Sequence, residues 1–85
     1  MNREEVIIKL KEIIIKTMEL SVELEQIKGE NLVEEIGFNS VDALEILVWV
    51  ENEFDIRFPD EDLSSELLIS LDNLADYVIR RKVQN

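Results

Sequence analysis

The apolar residues of this chain recur at helical spacing, and no stretch sustains the two-residue alternation of a strand. With each residue set about 100° from the last, Val6, Ile7, Leu10, Ile13, Ile14 and Met18 share one face. That pattern predicts an amphipathic helix over residues 3–18, with Ile8 and Ile15 off the core face. Glu4 and Glu5 suit the positive end of its dipole. Residues 19–39 are less regular. Leu20, Val22, Leu24 and Ile27 are expected to pin a long loop onto the core. The only glycines, Gly29 and Gly37, bracket a candidate short helical turn over 31–36.

A second helix is predicted to open at Asn39 or Ser40 and to run to Phe54. Both residues are strong N-caps, and Asp42 lies three positions after Asn39. Ala43, Ile46, Leu47, Val50 and Phe54 fall on one arc and are expected in the core. Ser40, Val41, Leu44, Glu45, Val48, Glu51 and Asn52 fall on the next, mixing apolar groups with acids. Trp49 lies outside both arcs, either packed along the first helix or exposed. Asp55 to Pro59 reads as a connector, and Pro59 can start a short helix reaching Leu63 or Ser65. The last helix is predicted over residues 70–82, capped by Ser70. Its apolar stripe is Leu71, Leu74, Ala75, Val78 and Ile79, and Arg80, Arg81 and Lys82 suit its negative end. The predicted class is all-α: a small bundle of three main helices, a short helix between the second and last, and a long loop after the first.

A chain of 85 residues reads as one domain over 1–85, with a thin core. It contains no cysteine and no histidine. Disulfides, Cys/His zinc sites and Cys or His nucleophiles are thereby excluded, and no metal site is expected. The net charge is −11, unevenly spread: residues 1–20 balance, 21–39 carry −4, 40–66 carry −8 and 67–85 carry +1. Arg57 is the only basic residue between Ser40 and Glu66. Nucleic acid is a poor partner for such a chain, and a basic protein surface a better one. The same acids also read as a plain solvated face. The longest uncharged apolar run, Ile46 to Val50, is far too short for a membrane span. The N-terminus lacks the apolar block of a secretory signal. A cytoplasmic monomer without membrane insertion is the expectation.

The stretch Ile36-Gly37-Phe38-Asn39-Ser40-Val41-Asp42-Ala43-Leu44-Glu45-Ile46 resembles the modification motif of acyl carrier proteins, whose usual form is Gly, a variable residue, Asp, Ser, Leu. The resemblance continues through Val50 to Ile56, Phe58 to Asp62 and Leu74 to Val78. It implies that Ser40 receives 4′-phosphopantetheine from coenzyme A through a separate phosphopantetheinyl transferase. The arm's thiol then holds acyl groups as thioesters for fatty acid, polyketide or specialised lipid enzymes. The chain itself is then not an enzyme. The resemblance also implies docking of basic enzyme patches on Asn39, Val41, Asp42, Leu44, Glu45, Val48 and Glu51, and on Glu53, which reads equally as a plain solvated acid. Leu47, Val50, Phe54, Ile56, Leu68 and Leu71 become candidates to line an acyl pocket, although each also reads as ordinary core. Two residues depart from the usual motif: Asn39 replaces aspartate and Val41 replaces leucine. The segment 64–69 is longer than the common form.

The physics of the residues agrees. A serine hydroxyl is a weak nucleophile without a base, and this chain has no histidine to serve. The partner must activate it. A phosphodiester on Ser40 would sit at a helix N-terminus, where N–H groups and the dipole favour an anion. Taken alone, Ser40 reads as a plain N-cap, and the chain as an unmodified acidic interaction module. Asp60-Glu61-Asp62 lacks the ligand pattern of an EF-hand loop.

Overall fold

The computed structural model describes residues 2–63 and 65–84; Met1, Ser64 and Asn85 lie outside the described residues. The expected lengthening of segment 64–69 therefore falls partly outside them. Among the described residues four α-helices form: α1 (Arg3–Met18), α2 (Leu32–Ile36), α3 (Ser40–Phe54) and α4 (Leu71–Gln84). The 3-10 turns Leu24–Gln26, Asp60–Asp62 and Ser65–Leu68 punctuate the connections. There are no strands among the described residues. The architecture is the expected one, three main helices plus short ones.

Each helix starts where a polar side chain satisfies its orphan amides. The Asn2 side chain accepts the Glu5 N–H at 2.8 Å, the Asn31 side chain the Glu34 N–H at 3.2 Å, and the Ser70 hydroxyl the Asn73 N–H at 3.2 Å. Ser70 thus caps α4 as expected. Pro59 precedes its 3-10 turn instead of occupying the first position. α1 and α3 end on left-handed Glu19 and Asp55, and α2 on left-handed Gly37.

One apolar cluster joins the elements. From α1 it takes Val6, Leu10 and Ile14; from α3, Ala43, Ile46, Leu47, Val50 and Phe54; from α4, Leu71, Leu74, Ala75 and Val78. Ile27, Leu32, Phe38, Ile56, Phe58 and Leu68 complete it from the loops and α2. Ile7, Ile13 and Met18 pack at its edge, and Ile8 is exposed. Ile15 packs at that edge and stays part-exposed, as its place off the core face implies. Ile27 holds the long loop down, whereas Val22 is exposed, contrary to expectation.

Polar contacts at the ends fix how the helices meet. Lys9, early in α1, pairs with Glu53, late in α3, at 3.2 Å. The C-terminal half of α1 borders a groove with Glu45, Trp49, Asn52 and Glu53 of α3. Arg3 reaches Asp72 at 3.1 Å and also pairs with Asp76. The Lys82 ammonium donates to the Phe54 carbonyl at 2.8 Å, and Arg81 to the Arg57 carbonyl at 3.0 Å. These two cations serve the end of α3 and its connector, not only the dipole of their own helix.

The long loop is tied across the molecule. The Leu32 N–H donates to the Ile69 carbonyl at 2.8 Å, and the Leu71 N–H to the Gly29 carbonyl at 2.9 Å. The Glu35 carboxylate accepts the N–H groups of Lys28 and Gly29, at 2.7 and 2.9 Å. This clamp places Gly37 and Phe38 at the mouth of α3.

Candidate functional site

Ser40 is the first residue of α3 and is exposed. Capping falls to its neighbour. The Asn39 side chain accepts the Asp42 N–H at 2.8 Å, and the Asp42 carboxylate accepts the Asn39 N–H at 3.2 Å. This reciprocal capping box resolves the choice of start in favour of Asn39 as cap. It leaves the Ser40 hydroxyl uncommitted. The N–H groups of Ser40 and Val41, which precede any helical acceptor, have no partner among the described residues. The result is an accessible hydroxyl beside two unused donors at the positive end of a fifteen-residue helix.

The approach to this end is set by Gly37 and Phe38. Gly37 holds φ +80°, a left-handed conformation that favours glycine, and a Cβ there would meet nothing within 4 Å. The backbone, not crowding, calls for glycine. Phe38 is buried and anchors the turn to the core.

Beyond Ser40, the second arc of α3 faces outward. Val41 is 71% exposed, Leu44 49% and Val48 44%, so a strip of apolar surface runs along a helix that also shows Glu45. Asp42 is half-buried within the capping box. Glu51 is half-buried too, and its carboxylate accepts the Phe58 N–H at 2.8 Å. Glu51 therefore has a part in the fold that its place on the arc did not announce. Asn39 caps α3, and Val41, Asp42, Leu44, Glu45 and Val48 follow Ser40 along its first turns.

The six pocket candidates lie deeper. Leu47, Val50, Phe54, Ile56, Leu68 and Leu71 are all buried in the one core cluster. Nearby, Tyr77 closes the Asp60–Asp62 turn onto α4. Its hydroxyl donates to Asp62, and its ring meets Phe58 with centroids 5.2 Å apart. Burial, reinforced by the Asp62 carboxylate, pushes the Tyr77 hydroxyl up to about 12.

With this geometry in view, comparison with known proteins is decisive. The profile of the family described as "Phosphopantetheine attachment site" matches residues 9–78. The chain belongs to the acyl carrier protein family. It is 33% identical to an acyl carrier protein of Chlorobium phaeovibrioides over 82 residues, 95% of this chain and all of that one. It is 32% identical to one of Bdellovibrio bacteriovorus over 74 residues, 86% of this chain and 90% of that one. Its fold matches a solved acyl carrier protein from Enterococcus faecalis with a TM-score of 0.72 at 27% identity, covering 95% of this chain and 99% of the other. The domain thus carries a phosphopantetheine attachment site, and proteins of this family are carriers and not catalysts. The arrangement fits the group: an exposed hydroxyl for the ester and two free amides with a helix dipole for its phosphate. Asn39 is neutral where the family usually has a carboxylate, so a phosphate on Ser40 would have one fewer negative charge beside it.

Proposed function

We propose that Ser40 is the attachment residue, and that this acyl carrier protein holds acyl intermediates as thioesters on a 4′-phosphopantetheine arm. The observation that carries the reading is the transfer of capping duty to Asn39, which leaves the exposed Ser40 hydroxyl available. A phosphopantetheinyl transferase supplies the base and loads the arm from coenzyme A. When bound, the arm supplies the only thiol in the protein, because the chain has no cysteine. The free amides of Ser40 and Val41 stabilise the phosphodiester and orient the arm away from the helix.

Enzymes of a fatty acid, polyketide or specialised lipid pathway then approach along α3. Val41, Leu44 and Val48 supply apolar contact, while Asn39, Asp42 and Glu45 set charge and register against basic patches. Glu51 contributes mainly by holding the connector in place. An acyl chain shielded by the protein would part the core along Leu47, Val50, Phe54, Ile56, Leu68 and Leu71.

Intact-mass measurement after co-expression with a phosphopantetheinyl transferase tests the assignment. One added phosphopantetheine on the native chain, and none on Ser40→Ala, is the expected result. Addition that survives Ser40→Ala sinks it.

A further inference from the structure

Cations are few in this chain, and four of the nine gather at one place. Arg80, Arg81 and Lys82 close α4, and Arg57 stands in the connector beside them. Packing makes the cluster: Arg81 donates to the Arg57 carbonyl at 3.0 Å and Lys82 to the Phe54 carbonyl at 2.8 Å. Arg57 and Lys82 line one open hollow of about 540 Å³ with Asp55 and Ile56. The Arg80 guanidinium lies 5.9 Å from the centre of the Tyr77 ring. Arg57, Arg80 and Lys82 are exposed. Acids outnumber cations 20 to 9, yet among the described residues the ion pairs engage Arg3 and Lys9 and none of these four. This basic pole lies past the far end of α3, about 21 Å of helix rise from Ser40.

Charge selects the occupant. Arg81 and Lys82 are tied to backbone carbonyls, so less side-chain freedom remains for them to lose on binding. The side chains of Arg57 and Arg80 hold no carbonyl among the described residues, and a guanidinium fork matches a carboxylate. Without these four cations the remainder of the chain carries −15. A lipid bilayer or a nucleic acid is broad enough to meet that remainder and is repelled. A second copy brings −11 with it and is repelled as a whole. A compact dianion sets both its charges against Asp55 inside one hollow. A short acidic peptide segment touches the pole alone and spreads its carboxylates over the four cations.

We infer that this basic pole is a docking site for an acidic segment of a partner protein. It is built from α4 and the connector, is opposite in sign to the face of α3, and exists whether or not Ser40 is modified. Screening decides when it works. At about 10 mM salt the screening length is about 30 Å, so the whole chain acts and its net charge opposes the segment. At about 0.15 M the length is about 8 Å; the distant acids fade while the adjacent cations remain. At about 1 M, with a length of about 3 Å, the cations fade too. Affinity therefore peaks at intermediate salt. Contact between partners of opposite net charge only weakens as salt rises.

The probe is a synthetic Glu-rich peptide, titrated into the full-length isotope-labelled chain and followed by NMR. Saturable shifts at the backbone amides of Ile56, Arg57, Arg80, Arg81 and Lys82 are expected, with the highest affinity near about 0.15 M salt. Arg57→Gln with Arg80→Gln should weaken binding about fivefold, as two exposed pairs are lost. Lys16→Gln with Lys28→Gln removes the same charge elsewhere and should leave binding unchanged, as should Ser40→Ala. Far-ultraviolet circular dichroism checks that each variant is folded. No saturable shift, shifts centred away from the pole, an affinity greatest at the lowest salt, or equal losses in the two pairs of variants would each overturn the proposal. So would displacement of the peptide by inorganic phosphate at equal concentration, since the occupant would then be a small anion. Binding to phosphatidylglycerol vesicles that is lost in Arg57→Gln with Arg80→Gln would overturn it in favour of a membrane.

Discussion

The Glu51 carboxylate and the Phe58 backbone N–H meet at 2.8 Å, joining the last turns of α3 to the connector that follows. Phe58 is buried, so this N–H has little access to water and needs a protein acceptor. Glu51→Ala leaves it unsatisfied and should cost about 1–3 kcal/mol of stability. Glu51→Gln keeps an acceptor oxygen and should lose less than half of that. Urea denaturation of the three proteins checks the order. Because this role is internal, Glu51→Gln should also weaken enzyme docking less than Glu45→Gln does. Equal losses at both positions would show that Glu51 faces the partner as fully as Glu45.

Asn39 differs from the aspartate usual in the family, yet the cap it forms with Asp42 is complete. Asn39→Ala removes the acceptor for the Asp42 N–H and should cost about 1 kcal/mol. Asn39→Asp retains the acceptor, since Asp and Asn cap about equally well. Its stability should fall by less than half as much, through repulsion between neighbouring carboxylates at 39 and 42. The transferase is the more sensitive reader of that change, because the added charge lies next to the hydroxyl being loaded. Thermal melts and loading rates for both variants separate the two effects.

The two glycines make a contrast that tests the loop tie. Both hold φ +80°. At Gly37 an added Cβ meets nothing, so Gly37→Ala should cost only the left-handed penalty, about 1 kcal/mol. At Gly29 the same atom would lie 2.7 Å from the Cβ of Leu71, in a backbone held by the Leu71 N–H and the Glu35 carboxylate. Gly29→Ala should therefore cost about 1–3 kcal/mol beyond the penalty at Gly37. Denaturant midpoints read both.

What the sequence made legible is local and periodic. The spacing of Ala43, Ile46, Leu47, Val50 and Phe54 placed all five in the core, and Ser70 was readable as a cap because capping depends on the three residues that follow. What it hid is set by distant neighbours. Nothing near Glu35 announces that its carboxylate will bind the amides of Lys28 and Gly29. Arg81 and Lys82 looked like partners of their own helix end, and only packing showed them on carbonyls of Arg57 and Phe54. For the site, the motif pointed to Ser40, but the rotation of α3 against α1 was needed to show Trp49 standing over a groove.

The Tyr77–Asp62 contact gives stability a distinctive alkaline slope. The Tyr77 hydroxyl ordinarily titrates near 10.0 and is pushed up to about 12 in the fold, by burial first and by donation to Asp62 second. Raising the folded value means that the fold favours the neutral phenol. The contribution is fully present below pH 10 and is lost as pH rises from 10 through about 12. Tyr77 is only half-buried, so water screens part of the effect. Tyr77→Phe keeps the ring contact with Phe58 and removes the ionisable group. Wild-type and variant unfolding free energies should therefore converge as pH rises through that window. A phenolate absorbance titration should place Tyr77 above a free tyrosine. A constant gap between the two proteins from neutral pH to pH 12 would mean that the hydroxyl's bond to Asp62 does not shape its ionisation.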